Sequence, residues 1–477
     1  MLIILFIILL LVIIVLLKPN QKQTDKETAL VGTNILNEDF SPQTLPSGNE
    51  NRYDIDLKMD SDGKFQVEST VEIKNTSEDT WKELVFYFIP NIFTKESSEQ
   101  LGNTLDTSAT LQVHDILVEG KTSGFTLTND TITIPLDNPI QPGDNVAVDF
   151  SYQFTLPVGG LRFTKTKDNY HLAQFFPMLA TFRDHKWNKE EYRFRGETYH
   201  TGFSDFNVSY DIPESYTFVS TSEDEIYPSK RTGTFLINDV KEIFIAILKD
   251  PRVVEKQVGD VNIRVFGFEE KDDLYKEISG IASDSLQYFQ EVLGPYPFTQ
   301  LDIVLDGLGM EYPGIVTAGS IYGKSVRDDA VKNMVVHEIA HQWFYGVINN
   351  DPYNEAWLDE GFTTFAEELF HFSQSDDEIP YDKMLERIEL IKDSSLPVNL
   401  PLDQYENNSH FYGKASTMLW LLFKDRGGLE EAEKFLKTYY DFYKYKEVNT
   451  EEFVRFARSY FNLEDDSELS TWLEINN

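Results

Sequence analysis

Beginning at Val335, the stretch VVHEIAHQWFYG sets two histidines four residues apart, with a glutamate directly after the first. On a helix of 3.6 residues per turn, His337 and His341 stack on one face, about 6 Å apart along the axis. Each can offer a ring nitrogen to one zinc ion at roughly 2.0–2.1 Å. Glu338 precedes His341 by three positions and leans over the same face. It comes close to such a metal without binding it, as a base acting on water must. The competing reading is a packed helix with two core-facing histidines.

A catalytic zinc needs a third protein ligand and an open fourth position. The chain has no cysteine, so that ligand must be His, Asp or Glu. The segment WLDEGFTTFAEELF offers Asp359 and Glu360 near the start of a second helix. Thr364 and Glu367 share a face with Glu360, at spacings of four and seven. Glu367 is therefore a candidate for steadying a ligand histidine through its second ring nitrogen. A solvated helix charge explains it equally well.

The elements that must carry these residues can be read from their periods. Asp328 and Asp329 can cap the start of the histidine helix, and Gly346 can end it. Upstream, DDLYKEISGIASDSLQYFQEVLG places Leu274, Ile278, Ile281, Leu286, Phe289 and Leu293 at helical spacing and stops at Gly294-Pro295. VNIRVFGF and LDIVLD read as strands, and the remainder is largely helical. Residues 51–255 read differently. KFQVESTVEI alternates Phe65, Val67, Val71 and Ile73 on one face. TLQVHDILVEG, TITIPL, VAVDFSYQF and DFNVSYDIP repeat the pattern between turn-rich segments. The expectation is a multidomain chain: an N-terminal all-β domain of saddle or sandwich type over 51–255, then a mostly helical α+β domain over 256–477.

Residues 2–17 are wholly apolar, followed by Lys18, Lys22 and Lys26. The run has no polar face and no small-residue cleavage site after it, so residues 1–17 are expected to be an uncleaved transmembrane anchor. Residues 18–50 are polar and are expected to be a linker. The lysines on the C-terminal side would by themselves hold the rest of the chain inside. A large domain can translocate despite flanking charge, and the expectation is a single-pass protein with its catalytic part outside the cell. The 477 residues carry 80 Asp plus Glu against 42 Lys plus Arg, a formal charge of -38. Such a chain repels nucleic acid, which is excluded as a partner.

HEIAHQWF, followed by Glu360 in WLDEGF with eighteen residues between it and His341, resembles the zinc signature of the gluzincin aminopeptidases. This is the family of aminopeptidase N and the leukotriene hydrolases. DGLGMEYPG resembles its Gly-x-Met-Glu-Asn exopeptidase motif, and FYGKASTML the segment carrying its catalytic tyrosine. AQFFP and GETYHTGFSDFNVSYDIP resemble its N-terminal β domain. The resemblance implies a thermolysin-like catalytic domain holding Zn2+ through His337, His341 and Glu360. It implies Glu338 as general base, Tyr412 as oxyanion donor, and Glu311 gripping the substrate's α-ammonium with Gln174 beside it. Tyr312 stands where the motif has asparagine, and Leu308 where it has glycine. Tyr405 is the nearest rival to Tyr412. The chain stops where the family's catalytic domain ends, so the long helical C-terminal domain of larger relatives is expected to be missing.

The function this implies is a zinc aminopeptidase acting on peptides with a free N-terminus. Two alternatives stand beside it: a membrane-anchored zinc endopeptidase or sheddase on the same site, and an inactive peptidase-fold binding scaffold. N-terminally blocked peptides separate the first, and a metal assay the second.

Overall fold

The computed structural model describes residues 40–475, apart from 103–104, 195, 224, 322–323 and 376–377. Its first half is built of strands. A seven-stranded sheet runs in the order 232–240, 204–211, 49–59, 64–75, 145–155, 111–118, 121–122. Strand Lys64–Asn75 shows why the sequence specifies it: Phe65, Val67, Val71 and Ile73 are buried, and the alternate positions face outward or are half-buried. Two four-stranded sheets and a two-stranded one, 181–183 with 186–188, complete this half. One of them carries strands Asn169–Ala173 and Phe244–Leu248, paired antiparallel and buried along their whole length. Those two strands face the helical half and bring Gln174 and Glu242 to it.

The second half opens with a five-stranded sheet in the order 252–258, 261–267, 300–308, 315–321, 324–325. Strands 261–267 and 300–308 are parallel, so a crossover must join them. Helix Asp272–Val292 supplies it, burying Ile278, Leu286 and Phe289. The histidine helix, Asp328–Ala340, packs between that crossover helix and strand 315–321. Helices Phe362–Ser373 and Ala415–Phe423 close the other side. A strand-rich first part followed by a mostly helical second part is thus what the sequence periods imply.

The apolar run 1–17 and most of the expected linker lie outside the described residues. Among the described residues no helix is long and apolar enough to cross a membrane. The most apolar helices are short: Ala415–Phe423 has nine residues, nearly all buried against the core, whereas a span needs about 20. The single-pass membrane placement, with the bilayer as partner and the catalytic part outside, is corrected on this finding. Residues 40–45 are docked on the helical half: Phe40 packs edge-on against Phe442 at 5.5 Å, and Leu45 N donates to Glu447 O at 3.2 Å.

Candidate active site

His337 sits in the last turn of its helix and His341 caps the C-terminal end, so both imidazoles leave the helix on one face. Their Nε2 atoms are 3.2 Å apart. Glu360 Oε2 lies 3.3 Å from the first and 3.2 Å from the second. Three donors in a near-equilateral triangle of this size fit one tetrahedral ion with bonds of 2.0–2.1 Å, whose ligand atoms stand about 3.3 Å apart. The donor set, two imidazoles and one carboxylate, is that of a catalytic zinc site with an open fourth position. Asp359 does not share this point. Its carboxylate lies 2.9 Å from His341 Nδ1, on the far side of the ring.

The far nitrogens explain how the rings are oriented. His337 Nδ1 is 3.0 Å from Glu367 Oε2, and His341 Nδ1 is 3.0 Å from the Phe344 carbonyl. Protons on both Nδ1 atoms satisfy these acceptors and leave both Nε2 lone pairs at the common point. Burial works against a charged Glu360. When the two rings carry a charge instead, they hold its carboxyl well below the usual range.

Glu360 belongs to a π-helical turn, Trp357–Gly361, and Tyr412 to another, His410–Lys414. Such turns insert one residue into a helix and re-aim the side chains around it. The two turns pack against each other at Gly361, where a Cβ would fall 2.7 Å from Ala415 Cβ and 3.0 Å from the Phe411 carbonyl. This close approach brings the Tyr412 hydroxyl to Glu360 Oε1, to which it donates. Burial and the Glu360 carboxylate push the Tyr412 phenol up, so it stays protonated. Tyr405 lies elsewhere: its hydroxyl donates to the Pro397 carbonyl and its ring stacks on His410.

These groups open onto a cavity of about 550 Å³ that Glu338, Glu311 and Tyr412 also line. Burial pushes the Glu338 carboxyl up to about 7, while His337 and His341 pull it down. Gly309 passes directly over it, with a Cβ position only 2.5 Å from Glu338 Oε1. Glu311 is 6% exposed. Burial and then the Glu197 carboxylate push its carboxyl well above the ordinary value. A cation entering beside it relieves both effects.

Gln174 does not line this cavity. Its Nε2 donates to Glu242 Oε2 at 2.6 Å, in a buried network where the Tyr199 and Tyr345 hydroxyls also donate to Glu242. Glu197 also lines the cavity with Glu311. Its Oε1 accepts from Arg162 at 2.5 Å, and its Oε2 is buried with no hydrogen-bond partner among the described residues. Nothing in the sequence periods points to Glu197, which sits in a stretch without regular structure.

A second residue that spacing could not reveal is Gln342, fully buried next to His341. It accepts from Gly314 N at 2.9 Å and donates to the Glu311 and Tyr312 carbonyls at 3.1 and 3.2 Å. The Tyr312 ring stacks on Phe244 at 4.2 Å, filling the place expected for an asparagine. The segment carrying Glu311 is thus clamped between the histidine helix and the strand-rich half.

The fold has counterparts among known proteins. The fold is similar to that of the M1 zinc metallopeptidase of Deinococcus radiodurans, with a TM-score of 0.64 over 90% of this chain and 94% of that one, at 15% identity. A mutant of that enzyme, bound to a Tyr-Ser-Ala substrate, is similar at a TM-score of 0.63 and 16% identity, with the same coverage. Residues 280–472 match the peptidase family M1 domain. Mouse aminopeptidase B is 28% identical over 216 residues, covering 39% of this chain and 31% of that protein. Leukotriene A-4 hydrolase of Xenopus laevis is 27% identical over 196 residues, covering 37% and 32%. The matched region thus spans about a third of the length of these relatives.

Proposed function

We propose that the chain is a zinc aminopeptidase that removes the N-terminal residue of peptides. The observation that carries this is the cavity itself, where the buried Glu311 and Glu197 carboxylates lie beside the His337–His341–Glu360 triangle and Glu338. An internal peptide bond brings no charge to such a pocket, whereas an α-ammonium brings one positive charge and three donors. The Deinococcus radiodurans relative bound to Tyr-Ser-Ala, and the matches to aminopeptidase B, support the same reading.

His337, His341 and Glu360 would hold the zinc. When bound, the metal supplies a Lewis acid and lowers the pKa of water to about 7. Glu338 accepts the proton of the attacking water through its carboxylate and returns it to the departing amine nitrogen. The Tyr412 hydroxyl turns its proton from Glu360 to the carbonyl oxygen as negative charge gathers there. Glu311 fixes the amino end, so the first peptide bond is the one in reach of Glu338.

Turnover of aminoacyl amides, with and without a chelator, tests this reading together with Glu338→Gln. Wild type should be active, should lose activity with zinc and should regain it on readdition. Glu338→Gln should keep one zinc and lose more than about 10²–10⁴ in kcat, because the residue both takes and returns the proton. Near-normal kcat in that variant, or activity untouched by zinc removal, rejects the proposal.

A further inference from the structure

Three side chains from the segment that carries Tyr412 reach one stretch of backbone. The Lys414 ammonium donates to the Ser394 carbonyl at 2.8 Å and to the Leu396 carbonyl at 2.5 Å. His410 Nε2 donates to the Asp393 carbonyl at 3.1 Å. The Tyr405 hydroxyl donates to the Pro397 carbonyl at 2.8 Å, and its ring stacks on that of His410. The stretch that accepts these bonds is itself fixed. Val398 N donates to the Trp472 carbonyl at 3.0 Å, and both of those side chains are buried.

Lys414 is the costly member of the set. It is 4% exposed, and among the described residues its ammonium meets these two carbonyls and no carboxylate. Burial works against its charge. A leucine or methionine would fill the place without that penalty. What the lysine adds is two charge-assisted bonds, which are among the stronger polar contacts a protein makes. They hold one side of the π-helical turn His410–Lys414, whose other side rests on Gly361. Such a turn departs from the regular helical ladder, so its shape depends on what grips it from outside. Tyr412 stands in the middle of the turn. Its ring lies nearly parallel to that of His337 at 5.8 Å, and its hydroxyl donates to Glu360. A slide of the turn by about 1 Å would take that hydroxyl off the carbonyl oxygen it serves, an error that can cost about 10²-fold in rate.

We infer that Lys414 is a positioning residue: by clamping the turn to the Ser394 and Leu396 carbonyls it sets the place of the Tyr412 hydroxyl at the developing oxyanion. Lys414 does not line the active-site cavity, so it acts through Tyr412 and not on the substrate. The inference rests on the aminopeptidase reading and deepens it.

The test is a double-variant cycle on kcat, taken per bound zinc and on one aminoacyl amide. Lys414→Met keeps the length of the side chain and removes its charge and donors. It should lower kcat by about 10- to 100-fold with KM changed by less than about twofold, because ground-state binding does not use the Tyr412 hydroxyl. Lys414→Arg, which keeps charge and donors, should recover most of the loss. Tyr412→Phe alone should lower kcat by about 10²–10³. In the Tyr412→Phe chain, Lys414→Met should then cost less than about threefold, because the group it positions is gone. A lysine that only supports packing would cost the same in both chains. Where Lys414→Met yields too little folded protein, Lys414→Gln carries the same cycle. An unchanged kcat in the lysine variants, or an equal loss with and without the Tyr412 hydroxyl, overturns the inference and leaves the aminopeptidase reading standing. A zinc-loaded wild type inert toward every aminoacyl amide removes that reading and this inference with it.

Discussion

His337 Nδ1 stands 3.0 Å from Glu367 Oε2, while the opposite nitrogen of the same ring faces His341 and Glu360. Glu367 therefore selects the tautomer that frees Nε2 and fixes the angle of the ring. Burial opposes its charge, but the bond from His337 holds its carboxyl down at about 2. Glu367→Ala should weaken zinc binding by about 10- to 100-fold, measured by competition with a chelator. Unchanged affinity would reduce Glu367 to a surface charge.

Gly361 is a contact point rather than a flexible joint. Its backbone is helical, and a Cβ there meets Ala415 and Phe411. Gly361→Ala should separate the turns carrying Glu360 and Tyr412, lowering kcat and costing about 1–3 kcal/mol of stability. Ala415→Gly in the same chain should recover most of both losses, because the two methyl groups compete for one space. Thermal unfolding and kcat of the single and double variants check this. No recovery in the double variant would place the strain elsewhere.

Gln342 ties the Glu311 segment to the histidine helix through three hydrogen bonds. Gln342→Leu leaves the Glu311 carbonyl and the Gly314 amide unpaired in a buried place, at about 1–3 kcal/mol per group, while the Tyr312 carbonyl keeps its bond from Ile315 N. Beyond that loss, discrimination between free and acetylated amines should fall, since Glu311 is no longer held in register with the zinc ligands. Zinc content should stay at one per chain. Loss of stability with discrimination intact would give Gln342 a packing role alone.

What the sequence made legible follows from the range of the forces involved. The strand Lys64–Asn75 and the helix Asp272–Val292 announce themselves by period, because one face of each is buried. His337 and His341 are legible because helical spacing alone brings them together. The choice of Glu360 over Asp359 depends on a π-helical turn whose formation is set by packing at Gly361, which no local pattern encodes. Glu197, Glu242 and Gln342 act across contacts between distant segments, so their roles emerge only once the two halves meet. Gln174 was expected at the amine because of its motif, yet Glu242 holds it from the next strand.

Two partly buried carboxylates outside the site should shape stability against pH. Burial pushes Glu355 and Glu368 up to about 7, against hydrogen bonds from Thr450 and from Ser416 and Trp420. The folded state then binds protons more tightly than the unfolded chain, whose carboxyls titrate near 4.5. Stability is fullest below about pH 4.5 with respect to these groups and falls as pH rises to about 7, by up to about 3 kcal/mol each. Glu355→Gln and Glu368→Gln keep an acceptor oxygen and remove the titration. Unfolding midpoints between about pH 5 and 8 should flatten in each variant, and an unaltered slope would contradict the assignment.

The central claim is that a free N-terminus is read by Glu311 beside a zinc site. Its most direct measurement compares one peptide with its N-acetylated form, following which bond is cut by mass spectrometry. Acetylation removes the charge and the donors that Glu311 and Glu197 face in their shared cavity. The free peptide should be shortened one residue at a time, and kcat/KM for the acetylated form should be lower by about 10- to 100-fold, the worth of a hydrogen bond to a charged group. Glu311→Ala should depress cleavage of the free peptide and leave the acetylated one nearly unchanged. Efficient internal cleavage of the acetylated peptide by wild type would contradict the aminopeptidase reading while leaving the zinc site standing.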